Sequence, residues 1–484
     1  MVGVEGATMI ERREILEMAS RVSLRPNVVE KDYVLGWMLA GIGANDSLGA
    51  SWVFKGGTCL KKCFFETYRF SEDLDFTLQD ESHLNDAFLK ETFSAISEWI
   101  YERTGIEFPR KLQTFDIYTN PRGAISCQGK LSYRGPLATH DLPRIKLDLT
   151  ADERIVLAPQ RASVFHPYSD APAEGIGILA YAYEELFGEK VRALAERTRP
   201  RDLYDVVNLF RNDEARPPAA VLLDVLRQKC ALKGIGVPVL ADLEPHRSEL
   251  QSLWQNMLAH QLPSLPPYES FWDALPAFFD WLAGGIAPVV PAAYAISQGE
   301  VVLRQRDLRL PVSVPSQSFL EIIRFAAGNH LLVELDYQGS TRHIEPYSLR
   351  QTQDGNLVLH AWNTEKNEHR SYRVDRIQGA RVASQTFSPR YAVELGPQGP
   401  QILQQAARNP RPIAPRSPST THGWATRTAS SRGTSQGKPV HIYQCPLCNK
   451  KFRRESYDSQ LNPHKNEWGG PCSGRTGFYV ETRP

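Results

Sequence analysis

One stretch constrains the fold of this chain more than any other: VFKGGTCLKKCFFETYRFSEDLDFTL, Val53 to Leu78. The apolar run Trp52–Phe54 reads as a strand that ends at Gly56 and Gly57. Paired glycines permit a tight turn and let backbone N–H groups come close to phosphate oxygens. Thr58 adds a hydroxyl, and a helix starting there would direct its positive end to the same place. A second strand, DLDFTL, follows. Side chains alternate along a strand, so Asp73 and Asp75 share one face while Leu74 and Phe76 turn to the core. Two carboxylates so close repel each other, and a bridging divalent cation removes that repulsion. Hard oxygen ligands of this kind suit Mg²⁺. The later run IKLDLT repeats the pattern: Ile145, Leu147 and Leu149 inward, Lys146 and Asp148 outward. Asp148 on a neighbouring strand would complete a site for two metal ions.

The rest of the chain is organised around this core. Glu11 to Leu39 reads as helical, interrupted at Pro26. Short apolar runs SWVFKGG, DLDFTL, IKLDLT and RIVLA read as strands, with a helix from Leu84 to Arg103 between the second and third. From LAYAYEELFGEKVRALAERT to about Leu282 the pattern is helical, with Val221, Leu222, Val225 and Leu226 on one apolar stripe. Phe271, Trp272, Leu275, Phe278 and Phe279 form another. Strands first and helices after predict an α+β architecture. A Pro/Ala-rich stretch closes this region. A second β-rich unit opens with the helix SFLEIIRFAAGN and continues through LLVELDY, RHIEPYSLR, NLVLHAW and RSYRVDRI. Residues 401–440 hold five Arg and one Lys but no Asp or Glu, the composition of a disordered basic tether.

In the order strand, Gly-Gly-Thr, helix, strand with D-x-D and strand with K-x-D, the N-terminal part resembles the AbiEii/AbiGii abortive-infection toxins. These are nucleotidyltransferases of the polymerase-β-like superfamily. The resemblance rests on VFKGGTCLKK, RFSEDLDF, IKLDLT and YAYEELFGEKVRALAERTRPRDLYDV, with EKDYVL in support. It implies transfer of a nucleoside monophosphate from an NTP to an acceptor, either a tRNA 3′ end or a protein hydroxyl. It implies that Asp73, Asp75 and Asp148 hold two Mg²⁺ ions, with Lys146 beside the nucleotide. Gly57 and Thr58 would contact the triphosphate, with Lys55, Gly56 and Ser71 in the same nucleotide-binding set. Lys190 would reach the incoming nucleotide, with Glu185, Arg197, Arg201, Asp202 and Asp205 around it. Arg201 and Asp205, spaced i,i+4, also read as a simple ion pair on one helix. A cognate antitoxin is the partner such a family implies.

Residues 319–395 resemble a WYL domain, a small SH3-like β-barrel of bacterial regulators. The carrying residues are LDYQGSTRHIEPYSL, LVLHAW and RSYRVDRI; the W-Y-L tripeptide itself is missing. The matching candidates for a phosphate-gripping, base-stacking surface are Arg342, Tyr347, Arg370, Arg373 and Arg376. Near the C-terminus, Cys445-x2-Cys448, His464 and Cys472 have the make-up of a four-ligand C₂HC zinc site. Four ligands and no spare position imply a structural Zn²⁺. Lys450 and Arg453, among the basic residues beside the knuckle, suggest contact with nucleic-acid phosphates.

The expected domains are a nucleotidyltransferase at 1–283, a linker at 284–317, the WYL-like barrel at 318–395, a disordered basic linker at 396–440 and the zinc module at 441–484. The expected fold is α+β: a polymerase-β-like transferase with a helical C-terminal subdomain, then the small barrel and the zinc module. Seven unevenly placed cysteines argue against a disulfide framework. The start lacks the apolar core of a signal peptide, and no apolar run approaches the ~20 residues that span a bilayer. We therefore expect a cytoplasmic toxin of a toxin–antitoxin or phage-defence system. The rival expectation is a non-catalytic regulator that binds nucleotide and nucleic acid through the WYL-like and zinc modules.

Overall fold

The computed structural model describes residues 9–65, 68–120, 122–213, 215–287, 300–303, 318–395, 440–445, 450–454, 460–465, 471–472 and 478–483. The chain forms two compact units, 1–408 and 409–484. Of the expected linker at 284–317, residues 284–287 and 300–303 are described; of the basic tether at 396–440, only residue 440 is.

Within the larger unit, Pro26 starts a helix rather than merely ending one. It occupies the first turn of Pro26–Ala44, where its missing N–H would have had no partner. That helix is buried on nearly every side from Val28 to Ile42. The strands are β1 (Trp52–Lys55), β2 (Asp73–Leu78), β3 (Gln113–Thr119), β4 (Ile125–Ser132), β5 (Arg144–Thr150), β6 (Gln160–Ser163) and β7 (Gly177–Ala180). They form one mixed sheet in the order β3-β4-β5-β2-β1-β7-β6. The pairs β2–β5 and β1–β7 are parallel. Leu74 and Phe76 on β2, and Ile145, Leu147 and Leu149 on β5, are buried as the alternation requires. Each contributes about 1.5–3 kcal/mol by leaving water. The helix Asp86–Thr104, capped by the Asn85 side chain and closed by left-handed Gly105, packs beside them.

The run RIVLA is not a strand. Its backbone finds partners elsewhere: Val156 N–H and Leu157 N–H donate to the two carboxylate oxygens of Glu185 at 2.9 and 2.8 Å. Strands β3, β4, β6 and β7 carry weaker alternation, and β7 lies where the helical reading began. The helix itself starts at Tyr183. Helices Tyr183–Arg197, Pro200–Arg211 and Ala219–Lys233 follow, and the helical series runs to Leu282.

The WYL-like part has the helix Ser318–Gly328 and strands β8 (Val301–Val302), β9 (Leu331–Tyr337), β10 (Ser340–Gln351), β11 (Leu357–Asn363), β12 (Glu368–Arg373) and β13 (Ile377–Thr386). The antiparallel ladder runs β12-β11-β10-β9-β13, with β8 paired to β10. One structural correction concerns Tyr347. The β10–β11 register shifts between Pro346 and Ser348, and Tyr347 is fully buried. It packs edge-on against Phe387 and Tyr391 and donates its hydroxyl to Glu345. Its ring offers no face for a base.

In the smaller unit, β14 (Val440–Gln444) pairs with β15 (Lys451–Arg454) and, further along the chain, with β18 (Phe478–Arg483). A separate short pair, β16 (His464–Lys465) and β17 (Pro471–Cys472), sets His464 directly opposite Cys472.

Candidate functional site

The central strands bring most of the expected site together. The parallel β2–β5 register sets Asp75 beside Asp148 and Asp73 beside Lys146. On the other side of β2, Lys55 pairs in register with Asp75. Directly after Lys55 the chain turns: Gly56 has φ +80° and opens a helical segment that continues to Phe64. A Cβ at position 56 would stand 2.1 Å from Asp75 Oδ2. A Cβ at position 57 would meet Arg69 Nη2 at 2.7 Å and Ser71 Oγ at 3.1 Å. Both glycines are therefore needed for close approach. Thr58 donates its hydroxyl to the backbone carbonyl of Asp73, which ties the turn to the strand carrying the carboxylates.

The electrostatics follow from this packing. Burial pushes the Asp75 carboxyl up to about 6; Lys55 opposes the shift, and Asp148 and Asp73 add to it. Burial also raises Asp73, against the pull of Lys146 and Lys31. Gln128 Nε2 donates to Asp148 at 3.2 Å. Burial and neighbouring negative charge disfavour the charged forms of Asp73 and Asp75, and a hard divalent cation relieves both. The donor set therefore fits Mg²⁺. The oxygens of Asp73, Asp75 and Asp148 do not all lie within 4.8 Å of one another.

Lys190 is held inside a buried ion cluster. It lies 2.8 Å from Asp205 and 3.8 Å from Asp202. Asp205 also receives Arg69 Nε and Nη2, both at 2.7 Å. Asp202 receives Arg197 through two bonds of 2.7 and 2.8 Å. The i,i+4 pairing of Arg201 with Asp205 is thus not made. Arg201 is half-buried, makes no ion pair among the described residues, and exerts its charge on Asp73 and Glu72. Glu185 is completely buried, faces Lys229 at 2.6 Å, and holds the backbone after β5 rather than a nucleotide.

Two residues of the site escaped the sequence reading. Glu153 forms an ion pair with Lys55 and accepts from Thr77 at 3.2 Å. Burial works against its charge, yet Lys55 holds it down at about 2. Its only signal was its place five residues after Asp148. Arg69 stood inside the quoted motif, two residues before Ser71, but its acidic partner is 136 residues away.

Of the WYL-like candidates, Arg370 is bonded to Glu368, and Arg373 to Asp375 through two bonds. Arg342 lies over the Tyr337 ring and bonds backbone carbonyls, and Arg376 is exposed. In the smaller unit, Cys445, His464 and Cys472 have their ligand atoms within 4.8 Å of one another; Cys448 lies outside the described residues. The two sulfurs are 3.8 Å apart. Two thiolates at about 2.3 Å from a tetrahedral zinc would be separated by about 3.8 Å. His464 Nδ1 sits 2.9 Å from the Asn462 carbonyl. Lys450 and Arg453 are exposed beside this cluster, while Phe452 packs edge-on against His464.

Comparison with known proteins follows the same division. The family model described as nucleotidyl transferase AbiEii toxin, type IV toxin–antitoxin system, matches residues 37–283, just over half of the chain. The WYL domain model matches residues 318–382. Among solved structures, the nucleotidyltransferase toxin MenT4 from Mycobacterium tuberculosis H37Rv aligns at 20% identity over 57% of this chain and 91% of its own, with a TM-score of 0.39. Proteasome accessory factor B/C of Arthrobacter aurescens aligns at 12% identity over 78% and 72%, with a TM-score of 0.15. No curated protein sequence matches. No described helix is long and apolar enough to cross a membrane. The chain belongs to the AbiEii family of nucleotidyltransferase toxins and carries a WYL domain behind its transferase part.

Proposed function

We propose that this chain transfers a nucleoside monophosphate from an NTP to a hydroxyl of a macromolecular acceptor, a tRNA 3′ end or a protein side chain. One observation carries the reading: Asp75 lies in register with Asp148 while its carboxylate rests against Gly56, at the start of the Gly-Gly-Thr turn. That juxtaposition supports a triphosphate lying between backbone N–H groups and carboxylates. In the reaction the acceptor oxygen bonds to the α-phosphorus, the bond to pyrophosphate breaks, and the acceptor proton leaves. Mg²⁺ held by Asp73, Asp75 and Asp148 would lower the pKa of the attacking hydroxyl and neutralise the leaving pyrophosphate. Gly57, Thr58 and Ser71 border the phosphate side. Lys146 and Arg201 supply positive charge beside Asp73. Lys55 and Lys190, each locked to carboxylates, keep the field around Asp75 fixed.

Cys445, Cys448, His464 and Cys472 are read as ligands of a structural Zn²⁺, and exposed Lys450 and Arg453 as phosphate contacts. In the WYL domain, Arg342, Arg370, Arg373 and Arg376 remain the candidates for nucleic acid. The domain limits 1–283, 318–395 and 441–484 go with this reading, as does a cognate antitoxin.

The test is incubation of the full chain with each radiolabelled NTP, MgCl₂, and total cellular RNA and protein. Label should enter one acceptor class with wild type and fail to enter with Asp73→Ala, whose melting should match wild type. Transfer undiminished in Asp73→Ala would refute the assignment. Growth arrest that survives the substitution without transfer would favour a toxin acting by binding.

A further inference from the structure

A cavity of about 290 Å³ lies where the helical part of the transferase meets the WYL domain. Its size is at the lower end of small-molecule sites, which run to roughly 300–1,000 Å³. The transferase side is aromatic: Phe65, Tyr68, Tyr204 and Phe210. The WYL side contributes Asn329 and His330, at the end of its helix, and the segment around Tyr391.

Two polar groups in this wall are buried without a hydrogen-bond partner among the described residues. One is Arg211 Nη1; the other is Asn329 Oδ1. Arg211 spends Nη2 on the Ser270 carbonyl at 2.6 Å and lays its guanidinium over the Phe271 ring at 4.9 Å. No carboxylate pairs with it among the described residues; nearby Asp213 is taken by Arg216 at 2.7 Å. Asn329 spends Nδ2 on the Phe325 carbonyl at 2.9 Å. A buried cation without a counter-ion is costly. A ligand carrying one anionic group would satisfy Arg211.

The cavity is also joined to the transferase site. Tyr68 donates its hydroxyl to Asp205 Oδ1 at 2.8 Å. Asp205 holds Arg69 and Lys190. Arg69 in turn lies against Gly57. One buried ion cluster separates the cavity wall from the Gly-Gly turn.

We propose that this cavity binds a small aromatic acid, its anion on Arg211 and its ring among Phe65, Tyr68, Tyr204 and Phe210, and that occupancy alters nucleotide binding through Tyr68 and Asp205. The coupling half rests on the nucleotidyltransferase reading above; the binding half does not. The site is separate from the sheet arginines of the WYL domain.

The probe is 1-anilinonaphthalene-8-sulfonate, a fluorescent aromatic anion, titrated into the folded full-length protein. Saturable one-to-one binding is expected. Arg211→Gln should weaken it at least about ten-fold, Arg211→Lys less, and Ala277→Trp, which fills the cavity, should abolish it; circular dichroism checks that each variant is folded. Unchanged affinity in Ala277→Trp and in whichever Arg211 variant folds would overturn the binding site. At saturating probe the Kd for a non-hydrolysable NTP analogue should shift about five-fold or more. An unchanged Kd would overturn the coupling. Absence of NTP binding with or without probe would instead count against the nucleotidyltransferase reading, and the fluorescence result would stand by itself.

Discussion

Asp75 Oδ2 occupies the space that a Cβ on Gly56 would need, with only 2.1 Å between them. Position 56 also holds φ +80°, in the left-handed region. Gly56→Ala therefore meets two penalties: about 1–2 kcal/mol for the backbone, and displacement of Asp75. We expect a lower melting temperature and at least about a hundred-fold loss of nucleotide transfer, which is of the order of 3 kcal/mol in the barrier. Thermal unfolding and a labelled-NTP assay measure the two effects separately. Full activity in Gly56→Ala would show that Asp75 does not need this seat.

Glu185 makes a structural prediction. It accepts two backbone N–H groups after β5 and faces buried Lys229 at 2.6 Å. Removing one member of a buried pair typically costs about 3–5 kcal/mol. Glu189, still 3.1 Å from Lys229, puts Glu185→Ala near the lower end of that range. Urea unfolding should show this loss, and adding Lys229→Met should recover part of it. A double variant as unstable as the sum of the two singles would mean the charges do not interact.

The cluster of Cys445, His464 and Cys472 predicts metal content. Purified protein should carry one zinc per chain by mass spectrometry of the metal. Cys472→Ser should lose it, and a strong chelator should remove it with loss of structure in the 409–484 unit, because a metal bound at such a site would supply folding free energy. Full zinc content in Cys472→Ser would exclude that thiolate as a ligand.

His360 predicts a pH effect in the WYL domain. Burial, then Arg350, push its imidazole down to about 4, with His369 acting in the same direction and Glu300 and Glu394 opposing. The ordinary value in an unfolded chain is about 6.5. Between those values the unfolded chain binds more protons, so stability rises with pH. The contribution is complete above pH 6.5 and is lost as pH falls toward 4. Urea midpoints at pH 5 and pH 7 should differ less in His360→Gln than in wild type. An identical difference in both proteins would remove His360 from the account.

The face on which each site carboxylate lies was legible from DLDFTL and IKLDLT alone. Alternation along a strand is a property of the backbone and needs no knowledge of neighbours. The same local rule failed for RIVLA. Its apolar residues suit a strand, but a carboxylate 28 residues or more away captures its N–H groups. The resemblance that offered Tyr347 as a surface ring did not show its burial: the ring packs against Phe387 and Tyr391, where the β10–β11 register shifts between Pro346 and Ser348. Cys445, His464 and Cys472 were recognisable from the Cys-x2-Cys spacing and the later His and Cys in the sequence.

By itself, then, the sequence determined which side chains share a face, where glycine is indispensable and which cysteines and histidine could meet. The tertiary structure alone decided the partners. It set Asp75 beside Asp148 through a parallel pairing that joins strands some seventy residues apart. It also gave Asp205 to Arg69 and Lys190 rather than to Arg201, its neighbour one helical turn away. The physical reason is that buried charges choose partners by competition in a low-dielectric interior. That competition includes every charge the fold brings near, however distant along the chain.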